Sequence, residues 1–219
     1  MTEAEWLACE DPQAMLGHLG SGVSARKGKL FDVAGGRRVW DLFPNATCRK
    51  GVETAERFAD GLATWGEITK GCVLLKRQAY ARGLEHTGQR ARWVAYHVAK
   101  GEPFSAVVSN DVIETLGHAA TRGTKTHVRK QERARQCGVL RDIFGNPFHP
   151  IAFSQEWRTD TAIALARQMY DSRDFSTMPI LADALQDAGC DNADILDHCR
   201  GSGPHVRGCW VVDLVLGKE

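Results

Sequence analysis

The sequence predicts a mainly α protein, an irregular multi-helix bundle with room for a short strand pair. Two observations carry this. Apolar residues recur at three-and-four spacing in most stretches where a period can be read, and helix start and stop signals stand at the ends of those stretches. The 219 residues suffice for one substantial domain or two small ones, and 43% hydrophobic and 25% charged content is that of an ordinary globular protein rather than a disordered, collagen-like or coiled-coil chain.

Thr2 and Glu5 have the capping-box spacing ahead of Trp6 and Leu7, which opens a first helix. Asp11-Pro12 interrupts it and starts a second turn through Met15, Leu16 and Leu19. From Ser24 a segment carries Leu30, Phe31, Ala34, Trp40 and Phe43, is weakened by Gly35-Gly36, and stops at Pro44. Val52, Ala55, Phe58, Ala59, Leu62 and Trp65 fall on one stripe opposite Glu53, Glu56, Arg57 and Asp60, a clear amphipathic helix. A further helical pattern runs from about Cys72 to Ala99, with Gly83 and Gly88 as points of division, until Pro103 breaks it. Phe104 to His118 is ambiguous, since Val107-Val108 is strand-like while Val112, Ile113 and Leu116 suit a helix.

Thr121 to Arg141 contains seven basic residues and one acid, Glu132, and continues into Val139, Leu140, Ile143 and Phe144 until Gly145-Asn146-Pro147. Phe148 to Phe153 is an apolar, proline-punctuated connector that no regular helix accommodates. Three compact helical units follow: Asp160 to Tyr170, Thr177 to Ala188 with Pro179 in its first turn and Gly189 beyond its end, and Asp191 to Cys199 closed by Gly201. Cys209 to Leu216 fits either a helix or a strand. The six tryptophans read as core anchors, one per local helix pair.

This places a basic helical portion at 1–144, a proline-containing connector at 145–153 and an acidic helical portion at 154–219 packed on the first, the whole expected as one compact domain. Residues 151–219 carry 6 basic and 11 acidic side chains, while the whole chain has a formal charge of +1. That near-neutrality gives no global attraction to nucleic acid or to an anionic membrane, and the asymmetry suits intramolecular docking or self-association. No apolar run reaches membrane-spanning length and the N-terminus is acidic, so a cytoplasmic address is expected. The seven cysteines form neither a CxxC pair nor an even disulfide framework, and are expected to be reduced thiols.

The densest set of metal-binding side chains lies near the C-terminus: Cys190, Asp191, Asp194, Asp197, His198, Cys199, His205 and Cys209. Thiolate, imidazole and carboxylate are the groups that take Zn(II), and the turn Gly201-Ser202-Gly203-Pro204 could return His205 and Cys209 toward His198 and Cys199. The metal candidates are therefore His198, Cys199, His205, Cys209 and Cys190. A catalytic variant pairs His198 or His205 with Cys199 or Cys209, with Asp197 or Asp213 orienting the ring. The competing structural account places Cys199 and Cys209 on an apolar stripe and lets the histidines and aspartates cap helices. In the middle of the chain, Glu114 and His118 would share a face if that stretch is helical, and packing could bring His97 and His127 to them, while Arg122, Lys125, Arg129, Lys130, Arg133, Arg135 and Arg141 form a basic stretch. A solvated helix face accounts for both, because the stretch has no interleaved aromatics.

The segments Leu140-Arg141-Asp142-Ile143-Phe144-Gly145-Asn146-Pro147-Phe148, Pro179 to Cys190 and His205-Val206-Arg207-Gly208-Cys209-Trp210-Val211-Val212-Asp213, with the opening Met1 to Cys9, resemble a large multi-copy family of uncharacterised, mainly planctomycete bacterial proteins. Members of that family carry a cysteine cluster before paired arginines where this chain has Phe31 to Arg38, so the resemblance implies no metal site shared between that segment and the tail. It implies relatives, and no activity. Two functions stand after the sequence alone: a non-catalytic helical interaction module with a protein partner, or a small zinc-dependent or cysteine-dependent hydrolase of a small-molecule substrate built on the C-terminal His/Cys/Asp set.

Overall fold

A computed structural model describes residues 1–81, 85–103 and 105–218. Among the described residues the chain forms twelve α-helices and three short 3-10 turns, with no strand. Seven of these helices begin at a residue whose side chain accepts from a first-turn amide, namely Thr2, Asp11, Ser24, Asn45, Thr64, Thr159 and Asn192, and these signals explain boundaries that apolar spacing misplaces.

The first compact unit is Met1–Cys137. Helix α1 (Glu3–Ala8) opens with the Thr2/Glu5 capping box, and α2 (Pro12–Leu19) is capped by Asp11 with Pro12 in its first turn. Helix α3 (Ala25–Arg38) is capped by Ser24 and ends before Trp40, which starts a 3-10 turn. Gly35 and Gly36 lie inside α3 rather than breaking it. A Cβ on Gly36 would stand 3.0 Å from Val52 Cγ2 and 3.3 Å from Val98 Cγ2, so the absent side chain lets neighbouring helices approach.

Helix α4 (Ala46–Ala59) carries the expected stripe, with Val52 and Ala55 fully buried, but stops six residues early. Gly61 has φ +70°, and Thr64 with Glu67 forms a second capping box that starts α5 (Trp65–Tyr80). Leu62 and Trp65 are thereby removed from the α4 face and are 66% and 57% exposed. The tryptophan expectation is corrected with them: Trp6 is fully enclosed, Trp65 is on the surface, and Trp40, Trp93, Trp157 and Trp210 are half-buried. The stretch from Cys72 to Ala99 spans two helices, α5 and α6 (His86–Val98), with Gly88 buried inside α6. Gly83, like Phe104 at the start of the ambiguous stretch, lies outside the described residues. That stretch is helical as α7 (Ser105–Ala119). The core of this unit is built from Val33, Val52, Ile68, Leu75, Val94, Val98, Val108 and Val112.

Helix α8 (Lys125–Phe144) carries the basic stretch except Arg122, which precedes it, and ends at Gly145, φ +67°. Its charges are not all solvated: Arg129 grips Glu114 with both ends of its guanidinium at 3.0 and 2.9 Å, and Glu132 accepts from Arg38 at 3.1 and 3.0 Å. The second compact unit, Gly138–Glu219, begins within α8, so the proline-containing segment 145–153 lies inside this unit. It continues through α9 (Asp160–Ser172), α10 (Met178–Asp187), α11 (Ala193–Arg200) and α12 (Trp210–Leu216). The last apolar run is thus a helix. Ala166, Met169, Leu181, Leu185, Ile195, Val211 and Val212 form the unit's core. No described helix is long and apolar enough to cross a membrane.

Candidate metal centre

Four side chains of the second unit converge: Asp142, His198, His205 and Cys209, one ligand atom from each lying within 4.8 Å of every other. Their positions follow from local chemistry. Leu140 and Ile143 commit the last turn of α8 to the core, which carries Asp142 inward until it is almost wholly shielded from solvent. On α11, Asn192 caps the first turn, Ile195 and Cys199 are buried, and His198 sits one residue, about 100°, from Cys199 on the helix wheel.

The chain then returns through Gly201 to Pro204. Gly138 on α8 makes room for this return, since a Cβ there would meet Pro204 Cγ at 2.9 Å. The loop is fixed to Asp142 by the Val206 amide, which donates to Oδ2 at 2.8 Å. Gly208, at φ +92°, turns the chain so that Cys209 stands at the N-cap of α12.

His205 Nδ1 lies 2.8 Å from Asp142 Oδ1, and His198 Nε2 lies 3.2 Å from the same oxygen and 3.2 Å from Cys209 Sγ. Zinc bonds of about 2.0–2.3 Å in a tetrahedron require ligand-to-ligand edges of about 3.3–3.7 Å, so the set needs only small side-chain movements to fit one. His205 Nε2 faces the Gly201 carbonyl at 3.4 Å. A ring that gives its Nε2 proton to a carbonyl directs its Nδ1 lone pair at the carboxylate, the outer-sphere arrangement typical of metal-bound histidine. Two lone-pair donors then face one another unless a proton or a cation stands between them.

The charges of the set respond strongly to one another. Burial, the largest influence on Asp142, pushes its carboxyl up, but hydrogen bonds and charge from His198 and His205 outweigh it and hold the group below its ordinary range. For His205, burial favours the neutral ring, and Asp142 outweighs it and raises the affinity for a proton. Burial and then the Asp142 charge push the Cys209 thiol well above its ordinary value. One carboxylate, one thiolate and two neutral imidazoles total two negative charges, the complement of a divalent ion.

The structure brings together three of the five metal candidates read from the sequence, His198, His205 and Cys209, and adds Asp142. Cys190 and Cys199 stand outside the convergent set. Burial first, then nearby Cys190 and Asp142, push the Cys199 thiol up to about 12, so it is a protonated core side chain at neutral pH. Burial raises Cys190 in the same direction. Asp213 is buried on α12 outside the set, and Asp191, Asp194 and Asp197 are exposed. Nor is there a carboxylate and imidazole pair at Glu114 and His118: Glu114 is occupied by Arg129, His118 stacks on His86, and His97 Nδ1 lies 2.6 Å from Asp111. Asp142 sits 56 positions before His198. Its only local signal is an acid flanked by Leu140 and Ile143, where helical spacing predicts burial.

Comparison of the chain with protein-family models, with curated proteins and with solved structures finds no match.

Proposed function

We propose that the chain is a non-catalytic helical interaction module whose second unit is fastened by Zn(II) held by Asp142, His198, His205 and Cys209. The observation that carries this reading is the convergence of four donors from separate stretches of chain, with the outer nitrogen of His205 on a backbone carbonyl. Four protein donors complete a tetrahedron, and a complete tetrahedron leaves no position for a water nucleophile. The ion's role is then to tie the end of α8 to α11 and to the start of α12. Cys209 is enclosed, and without a cation its thiol stays protonated, which removes it as a free nucleophile. A protein partner, or a second copy of the chain, is the class of ligand such a module takes.

The hydrolase alternative has one observation in its favour. His198 is the most exposed of the four side chains, and its departure would open a coordination position to water.

Metal analysis and Co(II) substitution of protein purified without an affinity tag test the reading. One equivalent of metal is expected, with the intense visible absorption of tetrahedral Co(II) and a thiolate-to-metal band in the near ultraviolet. Cys209→Ser removes that band, while Cys199→Ser and Cys190→Ser leave it unchanged. Less than a tenth of an equivalent retained after zinc loading and dialysis overturns the metal reading. Esterase or peptidase turnover that requires the metal overturns the non-catalytic one.

A further inference from the structure

We propose a second ligand site, in the first unit, where His86 and Arg90 of α6, His118 of α7 and Lys125 of α8 together bind the dianion of a phosphate monoester. It is independent of the metal centre and rests on different residues.

Three consecutive helices each contribute a pair four residues apart, the spacing that places two side chains on one helix face: His86 and Arg90, Glu114 and His118, Lys125 and Arg129. The faces meet. The His86 and His118 rings are stacked, 5.8 Å between centroids and 7° from parallel, while Arg129 bridges α8 to α7 through its two-pronged contact with Glu114. Gly117 makes this bridge possible, because a Cβ there would lie 2.6 Å from Arg129 Nε. The guanidinium therefore passes close over Gly117 of α7 and neutralises Glu114.

What remains is positive. Arg90, Lys125 and Arg129 all act on His118, against the single negative charge of Glu114 that Arg129 already grips, so positive charge is in excess around this ring. Loss of hydration, and then those three cations, hold the His118 ring below its ordinary proton affinity. The Arg90 Nε, shielded from solvent, has no hydrogen-bond partner among the described residues. His86 is exposed, and Arg90, His118 and Lys125 are half-buried, so the corner is open to solvent on one side. A guanidinium, an ammonium and two imidazole N–H groups match the several oxygens of a phosphoryl group, and the excess of positive charge favours its dianion. A bound dianion also draws protons onto the imidazoles, since an opposite charge favours their charged form.

The test is an NMR titration of the full chain at constant ionic strength, reading the histidine ring protons. The probes are inorganic phosphate, methyl phosphate and dimethyl phosphate. Saturable shifts confined to the His86 and His118 signals are expected with the first two, together with a rise in the pH at which His118 titrates. Arg90→Gln and Lys125→Gln each weaken binding about tenfold or more, the usual loss for a charge-assisted hydrogen bond. Lys125 lies in the first turn of α8, where glutamine keeps the helix, so this variant reads out binding if Arg90→Gln fails to fold. Shifts that do not saturate, that spread over the other histidines, or that survive both substitutions overturn the proposal. Equal affinity for the singly charged diester overturns the assignment to a terminal phosphoryl group.

Discussion

Replacing Asp142 by asparagine keeps the shape of the side chain and removes the charge that organises the metal centre. The carboxylate accepts from the Val206 amide at 2.8 Å and faces His205 at 2.8 Å and His198 at 3.2 Å. Hydrogen bonds to a charged group contribute about 1.5–3 kcal/mol, against about 1 kcal/mol for neutral pairs. Asparagine downgrades at least two of them and turns its own N–H groups toward a donor, so the expected loss is about 3 kcal/mol, at the lower edge of the ~3–5 kcal/mol measured when one member of a buried pair is removed. A unit of about 80 residues has about 4–12 kcal/mol of total stability, so the loss is a large fraction of it. Urea unfolding followed by tryptophan fluorescence and circular dichroism, with zinc or with chelator, reads this directly. With a slope of about 1 kcal/mol per molar urea, the midpoint of Asp142→Asn falls by about 3 M in chelator. The zinc-dependent gain in midpoint shrinks as well, because a carboxylate ligand has been lost. A midpoint shift below about 0.5 M at unchanged slope, with zinc stabilisation intact, would refute the assignment of Asp142 as the anchor of the site.

In chelator, the second unit is most stable between about pH 4 and pH 6.5. The lowered proton affinity of Asp142 supplies stability above its unfolded value near 3.8 that disappears as pH falls through the folded value. The raised affinity of His205 supplies stability below its unfolded value near 6.5 that disappears as pH rises through the folded one. Zinc reverses the upper limb: ligands must shed protons to bind it, so the zinc-induced rise in melting temperature is larger at pH 8 than at pH 6, as a thermal melt series checks. Gly36→Ala lowers stability by about 1 kcal/mol, since crowding of the buried Val52 and Val98 methyls outweighs the ~1 kcal/mol gain in helix propensity. Gly71→Ala, where a Cβ meets nothing within 4 Å, raises it by about 0.5–1 kcal/mol, and the opposite signs are read in the same denaturation assay. Lys29→Met costs about 3–5 kcal/mol, because the buried ammonium donates to the carbonyls of Val98, Lys100 and Glu102 at 3.2, 2.7 and 3.0 Å and pairs with Asp32 at 3.3 Å. A loss below 1 kcal/mol would show that water replaces it.

Helix starts were the most legible feature of the chain. Thr2, Asp11 and Ser24 cap where the local pattern places them, because a cap is a contact between a side chain and an amide two or three residues away. The same rule, applied at Thr64 and Glu67, separates α4 from α5 and takes Leu62 and Trp65 off the buried stripe, where apolar spacing alone had put them. The stretches near 105–119 and 210–216 are ambiguous in sequence because their apolar runs satisfy either period. Burial against neighbouring helices on several sides decided them.

Within the candidate site, His198, His205 and Cys209 could be found from their closeness along the chain, since the glycine and proline turn between them folds back within a few residues. Cys199 and Cys190 were drawn in by the same closeness, although Cys199 lies about 100° around α11 from His198 and faces the core. The sequence by itself determined helices, caps, turns and a tail rich in metal-binding atoms, because each of these is an interaction among near neighbours. Only the tertiary structure decided that Asp142 joins the tail and that Arg129 occupies Glu114, leaving His118 to stack on His86. Both outcomes depend on contacts between residues far apart along the chain, and Gly138 and Gly117 leave the space that the Pro204 ring and the Arg129 side chain occupy there.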